Sequence, residues 1–114
     1  MPTTELTGTT KPGNYSTTGA EMTMTAADVA NGNHIDSSQN VLIVAHNTGG
    51  SAYTVTITSS ADSVTGRTGD VSGQSLAADE IRTFFLVSDG WTDSNGQYLI
   101  NANNAAVELG WIAL

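Results

Sequence analysis

Cysteine is absent from this 114-residue chain, which excludes a disulfide framework and any thiolate metal site. Cations are scarce: Lys and Arg number 3 against 11 Asp and Glu, for a formal net charge of -8. A surface of that sign repels phosphate backbones, so no direct nucleic-acid partner is expected. No apolar run approaches the ~20 residues of a membrane-spanning helix, so no membrane partner is expected either. The opening Met-Pro-Thr-Thr-Glu has neither the basic nor the apolar region of a signal peptide. Histidine occurs twice, as His34 and His46. Neither stands in a nucleophile motif, beside paired carboxylates or at a metal-ligand spacing. The expectation is a protein that is not an enzyme and holds no metal or cofactor.

What the chain has instead is small and polar. Its 17 Thr, 11 Ser and 9 Asn make up about a third of the residues. The excess is uneven. Residues 1–19 hold one large aliphatic side chain, Leu6, and one aromatic, Tyr15. Such a stretch buries too little apolar area to offset its ordering entropy. It reads either as a frayed terminus or as an extended arm that orders against a partner by adding a strand. Its length and the turn at Pro12-Gly13 favour the arm.

Residues 20–114 read as short strands between turns. Ala20–Thr25 alternates, with Met22 and Met24 on one face, and Thr25–Asp28 suits the cap of a single helical turn. Asn31-Gly32 signals a tight turn. Val41–Ala45 is a continuous apolar run, as in a strand buried on both faces or central in its sheet. Thr48–Ser51 has the length of a hairpin loop. Ala52–Ser59 alternates Tyr53, Val55 and Ile57 with Thr54, Thr56 and Thr58, the mark of a half-exposed antiparallel strand. Residues 60–79 are Gly-rich, with room for very short strands around Val71 and Leu76. Glu80–Ser88, Gln97–Asn103 and Val107–Leu114 complete the strands. Trp111 reads as a core residue of the last one. Strands at this spacing predict an all-β fold, a single antiparallel sandwich or jelly-roll-like barrel.

Two loops and one strand carry the remaining chemistry. Gly66–Asp70 sets Arg67 beside Asp70, either as a local pair or with Arg67 free to contact an acidic partner. Arg82 shares a strand face with Glu80, where a local pair is the default. Asp89–Gly96 is rich in oxygen donors and contains Trp91. Its Asp93-Ser94-Asn95-Gly96 matches a fragment of a calcium loop but lacks the remaining carboxylates and the closing Glu, so a plain turn is expected, with a weak cation site as the alternative. A loop Trp serves as a core plug, an interface anchor or a sugar-stacking platform.

These features resemble small accessory proteins of tailed bacteriophages, above all capsid decoration (cement) proteins. The resemblance is carried by the arm Met1–Gly19, by Met24–Asn33, and by the core strand leading into Asn47–Ala52. Thr54–Thr58, Gly66–Asp70 and Gly90-Trp91 add to it. It implies a virion protein made in the host cytoplasm and bound to the outer capsid surface. There it would clamp neighbouring major capsid protein subunits, as a homo-trimer, with arm 1–19 docked on the shell and 20–114 as the sandwich. Thr3, Leu6, Tyr15, Arg67 and Trp91 are the expected partner contacts. The alternative is a receptor- or glycan-binding β-module of a tail fibre or adhesin, with its site at Trp91 and the acid-rich loop.

Overall fold

The structure, a computed structural model, describes residues 3–114. It is a β-sandwich of two separate sheets. Its strands are β1 (Thr4–Glu5), β2 (Thr25–Ala26), β3 (Asn33–Asp36), β4 (Val41–Asn47), β5 (Tyr53–Thr58), β6 (Val71–Leu76), β7 (Ile81–Leu86), β8 (Gln97–Ala102) and β9 (Val107–Ala113). One sheet runs β1-β3-β8-β5-β6 and the other β2-β9-β4-β7. Every pair is antiparallel except β1 with β3.

The alternating patterns become the core directly. Val41, Ile43 and Ala45 of β4 face Val55 and Ile57 of β5, Tyr98 and Ile100 of β8, and Val107 and Leu109 of β9. All are buried, as sheet-on-sheet packing requires of the inner rows. The Tyr98 hydroxyl donates to the Gln39 carbonyl at 2.7 Å, which satisfies the polar end of a buried ring.

The connectivity is less local than the sequence implies. The Thr48–Ser51 segment is not a hairpin loop, because β4 and β5 lie in different sheets. It is a crossover, folded around Asn47. The Asn47 amide donates to the carbonyls of Ser51, Leu76 and Ala77 and accepts from Gly49 N–H. Only β5 and β6 are both consecutive in sequence and paired. β6 is a full six-residue strand where short pieces were expected. Its Ser and Gly content hid it, and a register shift opposite Thr56 brings Gly73, at φ +59°, to donate its N–H to the Thr56 hydroxyl.

The expected strand at 20–25 is shorter, reduced to Thr25–Ala26. Met22 and Met24 do share a face: both reach Gly110 of β9, where a Cβ would sit 2.7 Å from the Met24 sulfur. The expected helical turn is present as one turn, closed by Gly32 N–H to the Asp28 carbonyl at 2.8 Å. The Asp28 carboxylate holds it by accepting from Asn31 N–H.

The N-terminal segment, read as an extended arm, begins bonded along its own sandwich. Thr4 N–H bonds to Gly32 O, Leu6 N–H to His34 O and Thr9 N–H to Trp111 O. Leu6 is 1% exposed and sits in the core of its own chain, so in this structure it is not a surface contact. The Trp111 indole N–H donates to the Leu6 carbonyl at 3.0 Å. Gly8 then lies flat against that indole, where a Cβ would approach to 2.6 Å. One leucine and three backbone bonds suffice because the sandwich supplies the rest of the cavity. Residues 10–21 are exposed and form no strand apart from the edge of the Thr9 bridge. Their two ends meet, with Thr23 N–H donating to the Thr9 hydroxyl at 2.8 Å. The segment is a closed loop rather than a tail.

Candidate functional site

The long connection between β5 and β6 is built by one carboxylate. Asp62 Oδ1 accepts from Val64 N–H at 3.0 Å and Thr65 N–H at 2.6 Å. Its Oδ2 accepts from the Thr65 hydroxyl at 2.6 Å and Arg67 N–H at 3.1 Å. Gly66, at φ +70°, closes the turn by donating to the Asp62 carbonyl. The Asp70 carboxylate takes Ser59 N–H and hydroxyl, which ties the two ends of the loop.

A second loop, between β7 and β8, clamps the first. Asp89 accepts from Ser63 N–H and hydroxyl, both at 2.9 Å. Ser60 N–H donates to Gly90 O, and the Ser60 hydroxyl to Thr92 O. Between the two loops lies an open cleft of about 320 Å³. Asp62, Arg67 and Thr68 line one side, with Asp89, Gly90 and Trp91 on the other. Arg67 and Trp91, expected as contacts from separate motifs, therefore share one site.

The carboxylates of this cleft are committed to the loops. Arg67 does not pair with Asp70, whose oxygen is taken by Ser59; among the described residues the one ion pair is Arg82–Glu80, at 2.6 Å. The Arg67 guanidinium thus stands without a carboxylate partner, and Trp91, half-buried against the core, presents the rest of its ring to the cleft. The Thr65 hydroxyl, followed by its amide, pulls the Asp62 carboxyl down to about 2. Ser59 N–H does the same to Asp70 in direction.

A pH dependence follows. Because the Asp62 carboxyl is held below its unfolded value, the loop's support is complete above about pH 4. It is lost as pH falls through about 2. The Asp62 side-chain carbon, followed by NMR, should titrate near that lower value. A midpoint at the ordinary aspartate value would contradict the hydrogen-bonded loop.

The other expected contacts lie elsewhere. The Thr3 hydroxyl is 2.7 Å from His34 Nδ1 beside β3, half-buried. Tyr15 is 96% exposed in the loop that follows Thr9. A second open cleft, of about 440 Å³, lies where that loop begins, between Lys11, Gln39 and Trp111. Trp111 is consequently half core and half cleft wall, a double role that its place in an alternating strand conceals. Asp93 is held in its own turn, accepting from Asn95 and Gln97 N–H. Neither histidine lines either cleft. Compared with family models, curated proteins and solved structures, the chain matches none.

Proposed function

We propose that the chain is a structural virion protein that binds the outer surface of a tailed-phage capsid and cements adjacent major capsid protein subunits, as a homo-trimer on the shell. The observation that carries this reading is the 10–21 loop. Every residue in it is exposed, Tyr15 projects from it, and its ends are tied to each other, Thr23 to Thr9, with Thr9 bonded to Trp111 of the sandwich. A loop with little internal apolar contact, offered from a rigid body, gains its order from whatever it docks on. Repetition over a symmetric lattice makes many weak contacts of this kind sufficient.

Because Leu6 belongs to the core, removing residues 1–19 would unfold more than the contact. The test is binding to purified expanded capsids by wild type and by a variant with Tyr15→Ala and Gly/Ser in place of 16–18. A loss of roughly tenfold or more, with an unchanged melting temperature, is expected. Wild-type affinity in the variant would sink the loop's role.

A second reading is favoured by one specific observation, the joining of Arg67 and Trp91 in one cleft. A tryptophan and an arginine without a carboxylate partner, lining one cleft, are the residue types of a sugar site. Specific glycan-array signal that Arg67→Ala abolishes would favour a receptor-binding module.

A further inference from the structure

The two outer faces of the sandwich differ in kind. On the five-stranded sheet, β5 turns Thr54, Thr56 and Thr58 outward, and Asn101 of β8 stands opposite Thr56. That face is mostly polar, with Leu99 of β8 opposite Thr58 as its apolar member. On the four-stranded sheet the register sets three rows across β7, β4 and β9. The first is Phe85–Leu42–Ile112, the second Thr83–Val44–Gly110, the third Ile81–His46–Glu108. The first row is wholly apolar, and Met22 and Met24 extend the second over Gly110. Phe85 is 58% exposed and Ile81 61%.

The charge is arranged around this face rather than on it. Glu108 closes one corner, Asp79 stands two residues before Ile81, and Glu21 precedes Met22. The one Lys or Arg on these three strands is Arg82, which belongs to the inner row opposite Ala45 and is paired with Glu80. The result is an apolar centre with an acidic rim. An exposed apolar area of this kind, rimmed by polar groups, marks a contact with another macromolecule. A second copy of the chain would set acidic rim on acidic rim, in a molecule of net charge -8.

We propose that the outer face of the β2-β9-β4-β7 sheet is a docking surface for a protein whose matching patch is apolar at its centre and ringed by Lys and Arg. The proposal deepens the shell-binding reading and rests on it, placing the main buried contact on this sheet face and leaving the 10–21 loop as a flanking one. Phe85 is the anchor: aromatic, on the apolar row and largely exposed until covered.

The test uses purified expanded capsids and the full chain. Phe85→Glu is expected to weaken capsid binding on the order of 100-fold. Thr83→Glu, also exposed and in the middle row of the face, should weaken it too. Thr58→Glu, on the mostly polar face, should bind as wild type. All three should melt with wild type, since none of these side chains is in the core. Wild-type binding should weaken as salt rises, because the rims carry opposite charge. If wild type binds and Phe85→Glu binds equally, the face is not the docking surface, while the shell-binding reading stands. If wild type does not bind capsids at all, both fail. Sedimentation of the free protein provides one further outcome. Self-association of wild type that Phe85→Glu abolishes would assign the face to a second copy and overturn the proposal.

Discussion

Replacing Leu6 with alanine is expected to cost about 2–5 kcal/mol, a large share of the stability of a domain this size. The loss has two parts. The transfer energy of a fully buried leucine disappears, and the neighbours cannot close the space it leaves. Those neighbours are held from both sides. Leu6 N–H is bonded to His34 O, and its carbonyl receives the Trp111 indole. For a domain of roughly 100 residues each kcal/mol lowers the melting temperature by about 4–8 °C. A drop on the order of 15 °C is therefore expected by differential scanning calorimetry. Thr7→Ala, next in the chain but exposed, should change it by less than about 2 °C. If the two variants melt together, residues 3–9 are not docked on the body, and the free-arm reading returns. Gly8→Ala has the same expected direction by another route, since a methyl group there meets the indole edge.

Asn47→Ala is the second large effect, at about 3 kcal/mol, and it arises without any apolar contact. Asn47 is 0% exposed at the end of β4. Its two amide hydrogens are shared among the carbonyls of Ser51, Leu76 and Ala77, at 2.7, 3.0 and 3.2 Å. Alanine removes a donor from the Ser51 and Leu76 carbonyls, while Ala77 O keeps Glu80 N–H, and it also removes the acceptor of Gly49 N–H; a buried polar group left unsatisfied costs more than the mean worth of a hydrogen bond. Asn47→Asp is expected to be worse at neutral pH, because a carboxylate faces three oxygens and donates nothing. Its folded-state pKa would be raised, so this variant should recover relative to wild type as pH is lowered towards the ordinary aspartate value and lose stability as pH rises. Chemical denaturation at two pH values checks the sign. Equal stability of Asn47→Asp and wild type at pH 7 would mean that water, not Asn47, serves these carbonyls.

Both residues show where the sequence is readable and where it stops. Tyr53, Val55 and Ile57 announce β5 because a period of two survives in any half-buried strand. The Val41–Ala45 run announces β4, but its meaning is richer than burial on both faces. Val41, Ile43 and Ala45 are in the core, while Leu42 and Val44 form the apolar outer face. A run without alternation cannot distinguish those cases, because the same side chains serve a second sheet or a docking surface. Leu6 was legible as the lone aliphatic in a polar stretch, yet its burial depends on Trp111, 105 positions away. Arg67 and Trp91 stood out as rare residues in loops. Their meeting in one cleft depends on Ser60, Ser63 and Asp89 joining two connections, and hydroxyl–carboxylate pairs of that sort leave no period in the sequence. Thr48–Ser51 has a hairpin's length and a crossover's geometry, because loop length alone does not choose the sheet to which the chain returns.

The passage of the chain from sheet to sheet has a consequence for how it is made. With only β5 and β6 paired as sequence neighbours, almost every ladder joins distant segments, so loop-closure entropy is spent before the contacts repay it. The extreme case is sheet β2-β9-β4-β7, whose inner strand β9 arrives last and is flanked by β2 and β4. While β9 is still within the ribosome, β4 lacks one neighbour, β2 has none, and Leu6 has no indole to hold it. Folding of this sheet is thus expected to wait until β9 has emerged rather than proceed strand by strand. During that interval the apolar row of β4 and the Thr-rich strands stand open to other copies of themselves. The low cation count and the spread of carboxylates then act on the nascent chain before they act on any partner, keeping identical unfinished chains apart by mutual repulsion.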